Sequence, residues 1–259
     1  MNRTVRILVC ALLVTLLSAA LAMLAMRSGR LRSQMTCSSL EISFSDSLRF
    51  VTERDVKGYI DRQYGNYIGQ RIDSIGLYAI ESLLKDKTAI KDAQAWTTDD
   101  GVLHVEISQR EPVLRFQNGS RGFYVDERGF IFPLHDSYTA PVSCISGSIP
   151  VKVAAGFKGE APEEQERIWI RKMILMDRYF KSLKTYRPES VCVLDNTDIM
   201  ITLGRGDEKF ILGQPDRLEE KFQSIARYFN KIKPSKDEGY YKTVIVKYNN
   251  QIVCRQKDI

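Results

Sequence analysis

Residues 102–133 read VLHVEISQREPVLRFQNGSRGFYVDERGFIFP, and this stretch decides how the chain is organised. Its first third alternates apolar and polar residues, the period of a half-buried strand. The apolar positions are Leu103, Val105 and Ile107. In its last third, two apolar runs flank the turn 126–129, where Gly129 can adopt the positive φ that a turn requires. The stretch therefore predicts the last strand of one domain and, after Pro112, a hairpin of the next.

The block before this stretch, 37–112, predicts a small α+β domain. Thr52 stands three residues before Asp55, the spacing of a capping box at a helix start. A second helix is predicted from near Asp73, and the Asp-Gly step at 100–101 predicts a hairpin. The order strand, helix, helix, strand, strand is typical of a sheet with two helices on one face. The apolar positions of these elements are Leu40, Ile42 and Phe44 in the first strand and Leu77, Ile80 and Leu84 in the second helix.

The block after it, 113–259, predicts a mixed β-sheet domain with packed helices. One helix is expected over 162–183 and another from Pro215, each with one apolar stripe. The residues 195–198 separate two apolar runs, which indicates a strand, a turn and a strand. Two last strands are expected at 241–248 and 251–257. The stripes are Ile168, Leu175 and Tyr179 in the first helix and Leu218, Phe222, Ile225, Phe229 and Ile232 in the second.

The N-terminal residues 7–26 carry no charge. As a helix they would span roughly 30 Å, at about 1.5 Å per residue, which is the thickness of a bilayer core. This predicts a single transmembrane helix after a short N-terminal tail, 1–6, and the family resemblance described below implies that this tail is cytoplasmic. A cleaved signal peptide is the alternative, because Ala20-Leu21-Ala22 resembles a cleavage site, but the apolar run exceeds the usual core of about 7–15 residues. Arginines precede and follow the segment, so charge does not decide the orientation.

The net charge of +6 first suggests a nucleic-acid partner. Its location argues against that function. Five arginines flank the apolar segment, and no acidic residue precedes Glu41. The basic charge therefore belongs to the flanks of a membrane segment, and no nucleic-acid-binding domain is indicated.

Catalytic and metal-binding patterns find little support. The two histidines, His104 and His135, lie far from any cysteine pair with metal-ligand spacing, and both are expected on the surface. Asp126 is expected to cap the turn that follows it. The cysteines are expected to stay free, although a disulfide between Cys192 and Cys254 is an open alternative. The sequence therefore predicts no catalytic residue, no metal site, no cofactor and no enzymatic activity.

The order of elements in 37–112 resembles the POTRA domain, and two motifs sharpen the resemblance. Residues 109–112, QREP, resemble the "ER-x-P" stop of the bacterial division proteins FtsQ and DivIB. Residues 123–133, FYVDERGFIFP, are similar to their pattern "yyvD-x-x-G-x-vfp". With the N-terminal span and a second block of the expected length, the chain resembles the FtsQ/DivIB family over essentially its whole length.

The resemblance implies a function in cell division. The chain is expected to be a scaffold of the divisome at the septum, anchored in the inner membrane, with its N-terminus in the cytoplasm and its two domains in the periplasm. It would recruit partners by protein–protein contacts. A POTRA-bearing outer-membrane assembly factor is the alternative, followed by an envelope hydrolase.

The resemblance also implies where partners bind. Family members bind the small coiled-coil proteins FtsB and FtsL through an edge strand near the C-terminus, so partners of these two types are expected. The matching positions are Lys247, Tyr248, Gln251, Val253 and Arg255, with Arg187 further upstream. Lys247 and Arg255 are expected to meet acidic partner residues, while Ile252 and Cys254 share the opposite face from Val253. The implied POTRA platform for other divisome proteins is the strand 40–44 together with the helix from Thr52, which carries Glu53, Arg54 and Lys57.

Overall fold

The computed structural model of the protein describes residues 12–23, 35–119, 121–136, 138–204, 206–237 and 239–256. Residues 12–23 are helical and belong to the predicted membrane segment, while the predicted tail 1–6 and the other residues of 7–26 lie outside the described ranges. Across these ranges, no helix combines the length and the apolar character that a membrane crossing needs. The chain separates into two compact units between Gln109 and Arg110, slightly before the predicted boundary at Pro112.

The first unit is a three-stranded sheet covered by two helices. The strands lie in the order β1-β3-β2, with β1 parallel and β2 antiparallel to the central β3. The elements are β1 (Ser39–Phe44), α1 (Glu53–Gln63), a 3₁₀ turn (Ile72–Ser74), α2 (Leu77–Lys85), β2 (Ile90–Thr97) and β3 (Val102–Gln109). This confirms the predicted order of strand, helix, helix, strand, strand.

Local signals fix the start of each helix in this unit. The Thr52 side chain accepts the Asp55 N–H while the Asp55 carboxylate accepts the Thr52 N–H, so the predicted capping box is formed. The second helix begins later than predicted. Asp73 lies in the 3₁₀ turn, and Ile75 is extended, so the α-helical hydrogen bonds start only after Gly76. Ile80 and Leu84 are then fully buried, while Leu77 at the start of the helix is partly buried.

The second unit is one mixed sheet with two helices on one face. Its ten described strands lie in the order β13-β12-β11-β10-β9-β7-β4-β5-β6-β8. The strands are β4 (Pro112–Asn118), β5 (Arg121–Asp126), β6 (Phe130–Pro133), β7 (Ser143–Gly147), β8 (Gly159–Glu160), β9 (Pro188–Val193), β10 (Ile199–Leu203), β11 (Lys209–Gly213), β12 (Tyr241–Ile245) and β13 (Val253–Gln256). The helices are α3 (Glu164–Ser182) and α4 (Leu218–Arg227), and α4 continues through a π turn (Tyr228–Ile232) into a 3₁₀ turn (Lys233–Ser235).

The predicted apolar stripe matches the buried side of α4 but not that of α3. The stripe predicted for α4 packs on the sheet as expected, with Phe222 and Ile225 buried. Ile168, Leu175 and Tyr179 share one side of α3 as predicted, but the core lies mainly on another side: Ile168 and Leu175 are exposed to 45% and 59%, and only Tyr179 packs partly against the core. The reason is that α3 carries a second, larger apolar face, and the core selects it. The buried apolar residues of α3 are Trp169, Ile170, Met173, Ile174, Met176 and Phe180.

The two motifs quoted from the sequence meet in space at the start of the second unit. Arg110 Nη1 donates to Asp126 Oδ2 at 2.9 Å, and the guanidinium carbon lies 3.7 Å from the centroid of the Phe130 ring. The other carboxylate oxygen accepts the N–H groups of Arg128 and Phe130, both at 2.9 Å. The turn-capping role predicted for Asp126 is therefore confirmed. Arg110 of the QREP motif and the hairpin motif therefore form one largely buried cluster at the beginning of the sheet.

Candidate functional site

The C-terminal strand β13 lies at one edge of the ten-stranded sheet, beside β12. It begins at Val253, two residues later than the predicted strand, and the predicted end at Lys257 lies outside the described residues. Residues 248–250 form the turn before it, and Asn250 adopts a positive φ of 54° there. Asparagine tolerates this conformation better than most residues, which suits the two-residue Asn-Asn turn.

One backbone hydrogen bond, made by the residue that follows β12, establishes the direction of the peptide groups in this strand. The Val246 N–H donates to the Ile211 C=O at 3.0 Å, across the parallel pair that β12 makes with β11. Backbone groups of successive strand residues point in opposite directions within the sheet plane. The even-numbered residues of β12 therefore bond β11, and the odd-numbered residues face β13.

The same alternation identifies the free groups of β13. Thr243 and Ile245 face β13, where they lie opposite Arg255 and Val253. These two β13 residues therefore hold the strand in the sheet. Cys254, between them, directs its N–H and C=O away from the sheet, and no described side chain makes a hydrogen bond to its N–H. An incoming strand would find a donor and an acceptor here.

The side chains of β13 divide between the two faces of the sheet as predicted. Ile252 and Cys254 pack against the core under the helices, and burial raises the pKa of the Cys254 thiol. Val253 and Arg255 lie on the outer face, which is the face opposite α3 and α4, and Arg255 is exposed. Tyr248 is exposed to 48%, and Gln251 is also exposed.

An apolar row crosses the outer face and ends at Val253. Consecutive members are register partners on β9, β10, β11, β12 and β13. The row consists of Cys192, Met200, Ile211, Ile245 and Val253, none of which belongs to the core under the helices. Sequence reasoning missed this row. Its signal was that strands such as IMITL (199–203) are apolar at both parities, which indicates that both faces of the sheet carry apolar side chains.

Lys247 is engaged inside the unit. Its ammonium donates to Asp198 Oδ2 at 2.7 Å, and this hydrogen bond raises the pKa of Lys247. The ammonium also lies 5.5 Å from the centroid of the Tyr248 ring, and the Arg217 guanidinium donates to the Lys247 carbonyl. An internal aspartate therefore holds the charge of Lys247 in this structure, and the contact of Lys247 with an acidic partner residue stays a prediction. Among the described residues of β13, Arg255 is the exposed cation.

Arg187 lies away from the edge. It directly precedes β9, and three strands separate β9 from β13, so the two are about 19 Å apart at about 4.8 Å per strand. Arg187 lines a cavity of about 110 Å³ with Asp177 and Lys181 of α3 and with Glu189. This volume is below that of small-molecule sites, about 300–1,000 Å³. The structure therefore does not bring Arg187 together with the other predicted partner-binding residues.

A series of contacting side chains in the first unit resembles the nucleophile, histidine and carboxylate of a catalytic triad. His104 Nδ1 lies 3.0 Å from Glu41 Oε2, its Nε2 lies 3.1 Å from Thr98 Oγ1, and its ring stacks on Trp96 at 5.3 Å. His104 is therefore not the plain surface residue that was predicted. The Thr98 hydroxyl, however, donates its one proton to Asp100. Carboxylates beside the hydroxyl would oppose the negative charge that acyl transfer develops. The cluster fastens the β2–β3 hairpin to β1.

The described cysteines and acidic residues show neither a disulfide nor a metal-binding cluster. The four described cysteines outside the N-terminal segment carry free thiols. Cys192 and Cys254 lie on β9 and β13 and face opposite sides of the sheet, so the disulfide left open by the sequence cannot form within one chain. Among the residues that the structure describes, no three His, Cys, Asp or Glu side chains are arranged to hold a metal ion.

Comparison with known families agrees with this architecture unit by unit. The model described as FtsQ/DivIB, C-terminal related, matches residues 111–255, more than half of the chain. A POTRA-like domain model matches residues 35–108. The chain belongs to the FtsQ/DivIB family. No curated protein matches it. The two matched ranges meet at 109–110, where the structure separates the two units of this FtsQ/DivIB protein.

The POTRA-like unit presents its predicted platform on α1. Val56 and Ile60 bury the inner side of this helix, so the outer side is left to polar residues. Glu53, Arg54 and Lys57 are all exposed. No described ion pair engages them, and charged residues at exposed helix positions are ordinary, so their role as a platform stays a prediction.

Proposed function

We propose that this FtsQ/DivIB-family protein is a non-catalytic scaffold of the division septum. It is anchored in the inner membrane by the segment 7–26 and recruits partners from its periplasmic units. The edge strand β13 receives a strand from a small coiled-coil partner of the FtsB or FtsL type. The observation that carries this proposal is the outward-facing backbone of Cys254, because strand addition needs an unpaired donor and acceptor.

Side chains around β13 support the same proposal. An added strand would continue the apolar row of the outer face beyond Val253. Arg255 and Tyr248 are exposed beside it and supply a charge and an aromatic surface, both of which are frequent at protein interfaces. Backbone bonds would then give affinity and alternate side chains would give specificity.

Proline at Cys254 tests strand addition. We expect the full-length Cys254→Pro variant to lose co-purification of its FtsB-like partner by roughly tenfold or more, because the outward N–H is removed and the ring obstructs the incoming strand. Cys254→Val is the matched control, since it keeps the N–H and an apolar side chain. Gln256→Pro, at the exposed end of the strand, is a second variant in case Cys254→Pro does not fold.

Thermal unfolding of each variant separates loss of binding from loss of fold. Binding that persists in both proline variants with native melting would remove β13 from the partner site. Loss in Cys254→Val would show that the thiol side chain, and not the backbone, carries recognition.

The proposed topology has its own test. A reporter enzyme that works only in the periplasm, fused after Ile259, is expected to be active. An inserted, expressed and inactive fusion would contradict the orientation.

The POTRA-like unit is proposed to bring the protein to midcell through α1, and deletion of residues 38–108 should abolish septal localisation of a fluorescent fusion. Normal septal rings from that deletion would contradict the role of this unit.

A further inference from the structure

The outward side of α3 carries an apolar surface that the core does not use. Ile168 and Leu175 are exposed to 45% and 59%. Among the described residues of the second unit, they are the two aliphatic side chains with this degree of exposure, since the other strongly exposed apolar residues there are Tyr240 and Tyr248. Single exposed apolar residues are ordinary on a protein surface. Two exposed aliphatic residues that are seven positions apart on one helix lie on the same side of it and form a stripe.

Positive charge lies between these two side chains. Arg171 and Lys172 are exposed, and neither makes an ion pair with a described residue. Lys172 does lie near Asp216: the pKa of that carboxyl is lowered mainly by its hydrogen bond from Lys221 and also by the charge of Lys172. The acidic residues of α3 lie outside this interval: Glu166 and Asp177 are buried on the inner side, and Glu164 is exposed one turn before Ile168. The outward side of the helix between 168 and 175 is therefore apolar and cationic, with no carboxylate of its own. We call Ile168, Arg171, Lys172 and Leu175 the α3 stripe.

The spacing of the α3 stripe matches a facing helix. Residues seven apart lie almost directly above one another and are separated by about 10.5 Å, at about 1.5 Å per residue. This is the repeat with which apolar side chains of two packed helices meet, while flanking charges choose the partner. A partner helix with apolar residues at heptad positions and acidic residues beside them would complement both the shape and the charge of the stripe.

We propose that the α3 stripe docks an acidic amphipathic helix of a partner protein, at a place distinct from the β13 edge. A second copy of this chain is disfavoured as the occupant, because two cationic stripes would repel one another. A lipid surface is disfavoured because helices that lie in a membrane interface bury a broad apolar face with several bulky residues, whereas the stripe offers two aliphatic side chains.

Site-specific photo-cross-linking in living cells tests the proposal with the full-length protein. A benzophenone amino acid placed at Leu175, and separately at Ile168, preserves an apolar side chain at each position. We expect adducts that map to one helical segment with acidic residues and heptad-spaced apolar residues. The same amino acid at Gln223, an exposed position of α4, is the matched control and should give no such adduct.

Charge reversal then decides whether the adduct is the proposed complex. The double variant Arg171→Glu with Lys172→Glu should lower the adduct yield roughly tenfold, with unchanged thermal unfolding. Adducts to lipid, adducts to a second copy, no adduct, or a yield that ignores charge reversal would each overturn the proposal. Cys254→Pro should leave the α3 adduct in place, so a failure of the β13 proposal is distinguishable from a failure of this one.

Discussion

Each unit of this protein has a sheet edge, β2 in the first and β13 in the second. The two edges differ in whether side chains form hydrogen bonds with their outward N–H groups. In the first unit, carboxylates cover two N–H groups of the edge strand β2: Ala95 N–H donates to Glu81 Oε1 at 2.9 Å and Ala93 N–H donates to Asp92 Oδ1 at 3.0 Å. In the second unit, no described side chain covers the outward N–H of Cys254. A covered edge resists strand addition, whereas an uncovered edge invites it.

The outer face of the second unit shows the same contrast. Near β5 and β6, the segment that follows Pro133 covers the sheet, and the Ala140 N–H donates to the Tyr124 hydroxyl at 3.1 Å. Tyr124 and Phe132 are buried beneath it. Toward β13, members of the apolar row such as Met200 and Val253 are only partly buried. The uncovered face and the uncovered edge therefore coincide at the C-terminal end of the sheet.

The largest expected effect distinguishes inward from outward groups of β13. Val253→Pro should lower the free energy of unfolding by about 2–3 kcal/mol, because its N–H bonds Ile245 within the sheet and the freed carbonyl loses its partner. Cys254→Pro should cost less than about 1 kcal/mol, because its N–H faces solvent. Urea unfolding of both variants measures the difference. Equal destabilisation would contradict the assigned direction of the backbone groups.

Removal of a cap from β2 should have an intermediate effect. Glu81→Ala leaves the Ala95 N–H without its carboxylate and should cost about 1–2 kcal/mol. Hydrogen exchange at the Ala95 amide should accelerate, and light scattering should detect self-association that increases with concentration. Glu81→Gln keeps an acceptor oxygen and should restore both properties. If Glu81→Ala neither exchanges faster nor associates, the carboxylate does not protect this edge.

The smallest expected effect is a pH dependence at the other cap. A hydrogen bond from the Lys85 ammonium, 2.8 Å away, holds the pKa of the Asp92 carboxyl below its ordinary value of 3.8. Because the folded-state pKa is the lower one, this interaction stabilises the unit above that ordinary value and is lost as the pH falls through the folded-state pKa. The exposed position of both side chains makes the contribution small.

The Ala93 amide reports on this titration, because it donates to Asp92. Its NMR chemical shift should titrate with a midpoint below 3.8, and Lys85→Met should move the midpoint upward. An unchanged midpoint in that variant would show that Lys85 does not set the charge of the cap.

The strand at the candidate edge and its side-chain faces were predictable from the sequence, but the contacts of its charged residues were not. The sequence predicted a last strand with Ile252 and Cys254 on one side, and the structure confirms that face. It also grouped Lys247 and Arg187 with the strand. Lys247 instead bonds Asp198, 49 residues earlier in the chain, and Arg187 lies beside β9. A local pattern carries no information about which distant charge will be adjacent after folding.

The sequence by itself determined the local structure of this protein. The alternation of β1, the capping box at Thr52 and the turn cap at Asp126 depend on residues within a few positions of each other, so short-range sterics and hydrogen bonding suffice. Tertiary structure alone decided which stripe of α3 faces the core, since the helix offers two and the sheet buries the larger. It also decided that β13 lies at an edge with the Cys254 backbone pointing outward, because strand order and register arise from contacts between residues far apart in the chain.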